Sequence, residues 1–99
     1  MHALEKEILK ALYNKNTNPT ANHNLNELEF DEEGMQRRRE IGFYLLKLER
    51  FSYIRFEGEA LTKGGQSDPI FKNNIAIIWW ENIHITEKGN NQLKEEALI

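Results

Sequence analysis

The side chains of this chain are best suited to bind anions, because arginine is concentrated in one short segment. Three consecutive arginines, Arg37 to Arg39, precede Lys47 and Arg50 in the sequence. The guanidinium group presents a planar fork of donors that matches a phosphate or the O6 and N7 edge of guanine. Gln36, beside the arginines, carries an amide of the kind that pairs with adenine. These residue types predict a surface that contacts phosphates and base edges.

Side chains for other chemistries are few or lack the necessary spacing. The chain contains no cysteine, and its three histidines, His2, His23 and His84, are not spaced as metal ligands. Gly64-Gly65 is not followed by the Lys-Ser/Thr pair of a phosphate-binding loop. We therefore expect no metal, no cofactor and no catalytic activity.

Length and charge restrict the class of protein. Ninety-nine residues accommodate one small domain, so we assign residues 1–99 to a single unit. The net charge is −3 and the isoelectric point is about 5.6, whereas nucleic-acid-binding domains usually have values above about 9. No apolar run approaches the roughly 20 residues of a membrane span. The N-terminus shows no secretory signal, and a cytoplasmic location is expected.

The charge is unevenly distributed along the chain. Residues 34–63 hold seven Lys or Arg and four Glu, a net charge of +3 between two acidic segments. An acidic protein can carry a local basic face. Because such a face allows only a few phosphate contacts, it predicts weak and salt-sensitive binding to DNA.

Hydrophobic periodicity predicts three helices in the first half of the chain. Leu4, Ile8 and Leu12 recur at a spacing of four, typical of an amphipathic helix. We expect that helix to stop within Asn14–Pro19, since asparagine and proline favour turns. A short second helix is predicted over residues 21–28.

The third predicted helix carries the arginines and runs to Arg50. Asp31 is its expected N-cap, and Phe30 with Met35 suits a hydrophobic staple. At 100° per residue, Arg39 faces outward most fully, whereas Arg37 points toward the core stripe and is expected either to snorkel or to pair with an acid. One stripe is the predicted core face, formed by Ile41, Tyr44, Leu45, Leu48 and Phe51. The opposite stripe mixes apolar and basic residues: Met35, Arg39, Phe43, Leu46 and Arg50.

The second half of the chain is predicted to be extended. Ser52–Glu57 is rich in the aromatic and β-branched residues of strands, and residues 61–74 contain turn signals. Residues 75–85 form the clearest predicted strand. Thr86 is expected to cap a last short helix that includes Lys94. The residues predicted on one face of the strand are Ile75, Ile77, Trp79, Ile83 and Ile85, and one of Trp79 and Trp80 is expected in the core.

Three segments resemble parts of winged-helix proteins. LLKLERFSYI (45–54) resembles the L-x-x-L-x-x-x-G-Y-I step from recognition helix to strand, and EILKALY (7–13) resembles the first helix. ITEKGNNQLK (85–94) resembles the L-T-x-K-G-x-x-x-L-K segment that leaves the wing. Nearly the whole chain is similar to the small prophage-encoded winged-helix proteins of the YjcQ family. It departs from the pattern in a long turn between the strands and in Ser52, which replaces a left-handed glycine.

The resemblance implies an α+β fold, a winged helix-turn-helix with three helices, a wing sheet of two to three antiparallel strands and a short C-terminal helix. It also implies a non-enzymatic prophage transcription regulator that binds double-stranded DNA, which we expect to act as a dimer. The recognition helix of such a domain enters the major groove. The residues expected to contact DNA are Gln36, Arg38, Arg39, Phe43, Lys47 and Arg50 on the helix and Arg55, Lys63 and Lys72 on the wing.

Other interpretations of the same residues remain open. The arginines could form a solvated face, and the wing cations could belong to a flexible polar loop. A rival function is a protein–protein interaction module that does not bind DNA. That module, or a homodimer, would use Met35, Phe43, Leu46 and an exposed Trp79 or Trp80. Alternatively, the third helix is buried on two sides and its second stripe is core.

Overall fold

A computed structural model describes residues 1–17 and 34–99 of the chain. This part is a small α+β domain with three α-helices and two small antiparallel sheets. None of its helices is both long and apolar enough to cross a bilayer. The predicted helix over 21–28, the Asp31 cap and the Phe30–Met35 staple lie outside the described residues and side chains. The elements are α1 (Ala3–Thr17), α2 (Gly34–Arg50), β1 (Ile54–Phe56), β2 (Leu61–Lys63), β3 (Ile75–Ile78), a 3-10 helix (Trp80–Asn82), β4 (Ile83–Ile85) and α3 (Glu87–Glu95).

Helix α1 ends within the segment that the sequence predicts. Leu4, Ile8 and Leu12 are buried as expected, and the helix runs through Thr17, inside the predicted stop at Asn14–Pro19. The Thr17 hydroxyl donates to the Tyr13 carbonyl at 3.0 Å, within the last turn. The asparagines at the start of that segment remain helical because asparagine only weakly opposes a helix. Proline disfavours helical backbone in the residue before it, so Pro19 leaves residues up to 17 free to be helical.

Helix α2 ends at Arg50, as predicted, through a left-handed turn. Ser52 has φ 65°, so it adopts the conformation in which a glycine is usual. Its N–H donates to the Glu49 carbonyl at 2.9 Å, and the Tyr53 N–H donates to the Leu48 carbonyl at 3.0 Å, the bond pattern of a Schellman cap. Phe51 lies beyond the helix and is 49% exposed, so its assignment to the core face was wrong.

The four strands form two successive parts of one long hairpin. β1 pairs with β4, and β2 pairs with β3, both antiparallel. The strand pairing is interrupted between these two parts. The register is nevertheless the same on both sides, because residues 57–60 of the first arm lie opposite an equal number of residues, 79–82, of the second. Two backbone bonds of 2.8 Å bridge the gap, from the Glu57 N–H to the Asn82 carbonyl and from the Trp79 N–H to the Ala60 carbonyl. The predicted wing of two to three strands is therefore four short strands, and β2 occupies part of the expected turn.

The buried face of the second hairpin arm changes parity twice, which corrects the predicted continuous strand over 75–85. A bulge opposite Thr62 and Lys63 shifts the register after Ile75. The 3-10 helix then returns the buried positions to odd-numbered residues without a change of register. The odd-numbered residues Ile77 and Trp79 are therefore exposed, whereas Trp80 is 5% exposed and belongs to the core. The inward residues of this arm are Ile75, Ile78, Trp80, Ile83 and Ile85.

The core lies between α1, the inner face of α2, the hairpin and Leu93 of α3. Thr86 caps α3 as predicted, since its side chain accepts the Gly89 N–H at 3.1 Å. Gly42 allows α2 to approach the hairpin closely, because a Cβ there would lie 2.4 Å from Cδ1 of Ile75. This contact sets β3 and the loop before it beside the outward stripe of α2.

Candidate functional site

The outward stripe of α2 exposes two large apolar side chains. Phe43 is 41% and Leu46 39% exposed, whereas Ile41, Leu45 and Leu48 on the inner stripe are fully buried. The helix is therefore buried on one side, and the alternative that both stripes belong to the core was wrong. Met35, assigned to the same stripe, lies outside the described side chains.

A groove lies between this stripe and the loop that precedes β3. The Phe43 ring on α2 and the Phe71 ring on the loop face each other across 6.1 Å between centroids, at an interplanar angle of 51°. The groove has a volume of about 450 Å³. We call it the α2 groove, and it is lined by Phe43, Leu46, Lys47, Arg50, Phe51, Phe71, Lys72 and Asn73.

The loop side of the α2 groove is fixed by two polar side chains. A carboxylate oxygen of Asp68 accepts the backbone N–H groups of Ile70 at 2.8 Å and Phe71 at 3.0 Å. The amide of Asn73 donates to the Arg39 carbonyl of α2 at 3.0 Å. Sequence reasoning missed Phe71 and Asn73, although the turn signal Ser67-Asp68-Pro69 marked the segment. These bonds hold Phe71 opposite α2.

The charged residues of the α2 groove share one sign. Lys47, Arg50 and Lys72 are basic, and none of the described residues that line the groove is acidic. Lys47 is anchored from behind, because its Nζ lies 3.3 Å from a carboxylate oxygen of Glu5 on α1. Glu5 is only 3% exposed. The groove therefore combines an apolar floor with a cationic edge.

The arginines at the start of α2 contact the hairpin instead of facing solvent. Arg38 donates to the Ala76 carbonyl and Arg39 to the Gly64 carbonyl, each at 3.3 Å. Arg39 is half-buried, and its Nε is buried with no hydrogen-bond partner among the residues that the structure describes. The prediction that Arg39 faces outward most fully was wrong, because a helical wheel does not include the hairpin that lies over this half of α2. Arg37 pairs with Glu40, which confirms its predicted pairing with an acid.

The other predicted DNA contacts do not line the α2 groove. Gln36 is half-buried on α2. Lys63 lines a second hollow, which meets the groove at Leu46. Arg55 is exposed on β1 opposite His84. Of the nine predicted contacts, Phe43, Lys47, Arg50 and Lys72 come together.

Histidine and carboxylate side chains do not gather into a metal site in the described part of the chain, where no group of three is close enough to share an ion. His84 and Glu57 form a pair, with 2.7 Å between the ring Nε2 and the carboxylate. This pair joins the two arms of the hairpin across the strand pairing, so it contributes to the fold.

One of the three segments that resemble winged-helix proteins, ITEKGNNQLK (85–94), connects α3 to the end of α2. The Thr86 hydroxyl donates to the Ser52 carbonyl at 2.6 Å, and Lys88 donates to the Phe51 carbonyl at 2.7 Å. A Cβ on Gly89 would lie 2.3 Å from the Tyr53 carbonyl oxygen. The Thr-x-Lys-Gly pattern thus satisfies carbonyls that the helix end leaves free. Its residues stabilise a junction and do not line the α2 groove.

Comparisons with known proteins provide no relative for this chain. No protein-family model, curated protein or solved structure matches it. Its function is therefore argued from the geometry of its own side chains.

Proposed function

We propose that this chain is a winged-helix domain whose α2 groove docks another protein. The order of elements supports the fold: α2 leads directly into a long hairpin, and α1 and α3 pack behind them. In this arrangement α2 takes the place of the recognition helix and the hairpin that of the wing. The observation that carries the function is the exposure of Phe43 and Leu46 opposite Phe71.

A protein partner explains this surface better than DNA does. Clustered exposed apolar residues mark protein contacts, and aromatic residues with arginine are enriched at the centre of such interfaces. Protein–DNA interfaces are more polar and more positively charged. Here Arg38 and Arg39, the residues best suited to phosphate, donate to carbonyls of the hairpin.

Selection from a displayed library of helical peptides tests docking even while the partner is unidentified. The library is selected on the wild-type protein, and the enriched clones are then measured on Phe43→Asp. Ile70→Asp is the matched control, because Ile70 is 66% exposed but does not line the α2 groove. Circular dichroism verifies that both variants fold.

We expect the clones to lose binding to Phe43→Asp and to retain it on Ile70→Asp. Two results would contradict docking in the α2 groove. One is a library that shows no enrichment on the wild type, and the other is a set of clones that bind all three proteins equally.

DNA binding by a dimeric prophage regulator, as the YjcQ-like resemblance implies, is the second candidate. The observation that favours it is the presence of Arg50 and Lys72 beside Lys47 in a groove whose described lining residues include no acid, although Lys47 pairs with Glu5 behind the groove. If it is right, random duplex DNA binds at low salt, and Arg50→Ala with Lys72→Ala weakens binding and flattens its salt dependence. A wild-type protein with no measurable duplex affinity at low salt would exclude this candidate.

A further inference from the structure

We infer that the occupant of the α2 groove is an acidic amphipathic helix of a partner protein. This inference rests on the proposed docking function and adds the shape and charge of the ligand. Three features of the α2 groove support it: the spacing of the side chains along α2, the elements that form the groove walls, and the charges on the groove edge.

The spacing of the groove residues along α2 fits two turns of a second helix. Phe43 and Arg50 are seven residues apart, which is about 10 Å along a helix axis. A docked amphipathic helix presents apolar anchors at i, i+3 or i+4, and i+7, over the same length. Leu46 lies between the two ends and exposes a surface on which the central anchor packs.

The walls of the groove favour a helix over an extended peptide. A bound strand obtains its affinity from backbone hydrogen bonds to a free sheet edge. Here the walls are the side-chain face of α2 and the loop that carries Phe71 and Lys72, and neither is a strand. A helix satisfies its own backbone and requires only side-chain contacts, which is what these walls offer.

The charges on the edge select an acidic partner over a second copy of this chain. A two-fold dimer through the groove would place Arg50 and Lys72 against the same two cations of the other copy, while Lys47 is already paired with Glu5. Like charges across an interface oppose association, and complementary charges favour it. Acidic residues that flank the apolar stripe of the ligand would meet Arg50 on one wall and Lys72 on the other.

Three synthetic helical peptides with the same apolar stripe test the inference. The flanking positions carry Glu in the first peptide, Gln in the second and Lys in the third. Binding is measured by fluorescence anisotropy, with random duplex DNA as a separate ligand. We expect the Glu peptide to bind about tenfold more tightly than the Gln peptide, since its ion pairs with Arg50 and Lys72 add to the apolar contact that both peptides make. The Lys peptide should bind more weakly than either.

A charge-reversed protein separates recognition from loss of folding. Arg50→Glu with Lys72→Glu should reverse the preference, so that the Lys peptide binds better than the Glu peptide. The matched control is Lys10→Glu with Lys94→Glu, which changes the net charge equally at exposed positions outside the groove. The control should keep the preference of the wild type.

The alternative outcomes distinguish this inference from the docking function. Equal binding of the Glu and Gln peptides, or a preference for Lys, overturns the acidic ligand. Failure of all three peptides also overturns it, while library clones that depend on Phe43 would still support docking. Duplex binding with no peptide binding and no such clones would overturn both and leave DNA as the occupant.

Discussion

Replacement of Gly89 by alanine should destabilise the fold although alanine is the better helix former. Gly89 is buried in the first turn of α3. An added Cβ would lie 2.3 Å from the Tyr53 carbonyl oxygen and 2.7 Å from Cγ1 of Ile85. The carbonyl cannot easily move away, because it accepts the Thr86 N–H at 3.0 Å. The methyl group must therefore push α3 away from the end of α2.

The magnitude follows from three contributions to the free energy of unfolding. Overpacking in a tight site costs about 1–3 kcal/mol, and a backbone contact this short belongs at the upper end. Weakening of the Thr86–Tyr53 hydrogen bond adds about 1 kcal/mol. The better helix propensity of alanine returns about 1 kcal/mol. We expect Gly89→Ala to lower the stability by about 3 kcal/mol, or roughly 12–24 °C in Tm for a domain of this size.

Urea denaturation followed by circular dichroism measures the effect. The matched control is Asn91→Ala, which makes a similar change in propensity at an exposed position two residues along α3. It should leave the stability unchanged or raise it by about 0.5 kcal/mol. The reasoning fails if Gly89→Ala proves as stable as Asn91→Ala.

Three further substitutions test other contacts. Ser52→Gly should raise the stability by about 0.5–1 kcal/mol, since it relieves a left-handed non-glycine residue, and a lower urea midpoint would contradict this. Glu5→Ala should cost about 1–2 kcal/mol in the same assay because it removes the buried carboxylate that binds Lys47, whereas exposed Glu7→Ala should change little. Asn73→Ala should speed amide hydrogen exchange in the loop before β3, since it removes the hydrogen bond that holds the loop to α2. The control Gln66→Ala, in the same loop, should leave the exchange unchanged. Equal exchange rates in the two variants would refute the role of Asn73.

Local signals predict the three described helices, the exit of α2 and the cap of α3. The exit of α2 was predictable because the left-handed turn depends on residues close in sequence, and Ser52 occupies the expected position. The cap at Thr86 is likewise local, between residues three apart. The end of α1 at Thr17 also falls within the predicted segment, Asn14–Pro19. Such signals act within a few residues, so one chain is enough to reveal them.

The hairpin could not be predicted because its irregularities come from pairing. Period-two alternation placed Ile77 and Trp79 on one face with Ile75, Ile83 and Ile85. The bulge after Ile75 and the 3-10 helix that begins at Trp80 each shift the alternation. Both shifts depend on what lies opposite in the other arm, and the order of residues in one arm does not encode that. For the same reason the sequence predicted one buried tryptophan but left open that it is Trp80.

The candidate site was predicted only in part, because a helical wheel describes α2 without the hairpin that packs against it. The wheel identified an outward stripe that contains Phe43, Leu46 and Arg50, and the exposure of Phe43 and Leu46 confirms their outward position. It placed Arg39 outermost, although the hairpin covers that half of the helix. Phe71 was not singled out, because its place opposite Phe43 depends on a loop that starts more than twenty residues after Phe43 in the chain.

The hairpin, more than α2 alone, determines what the outward stripe can bind. Both proposed ligands would use the same helix, and the sequence offers each of them suitable side chains. The contact of Gly42 with Ile75 brings β3 against α2, where Arg38 and Arg39 donate to hairpin carbonyls. The same placement leaves the second half of α2 open and adds Phe71 to it. Because the hairpin engages Arg38 and Arg39 and contributes the apolar Phe71, it favours the proposed protein ligand over the proposed DNA ligand.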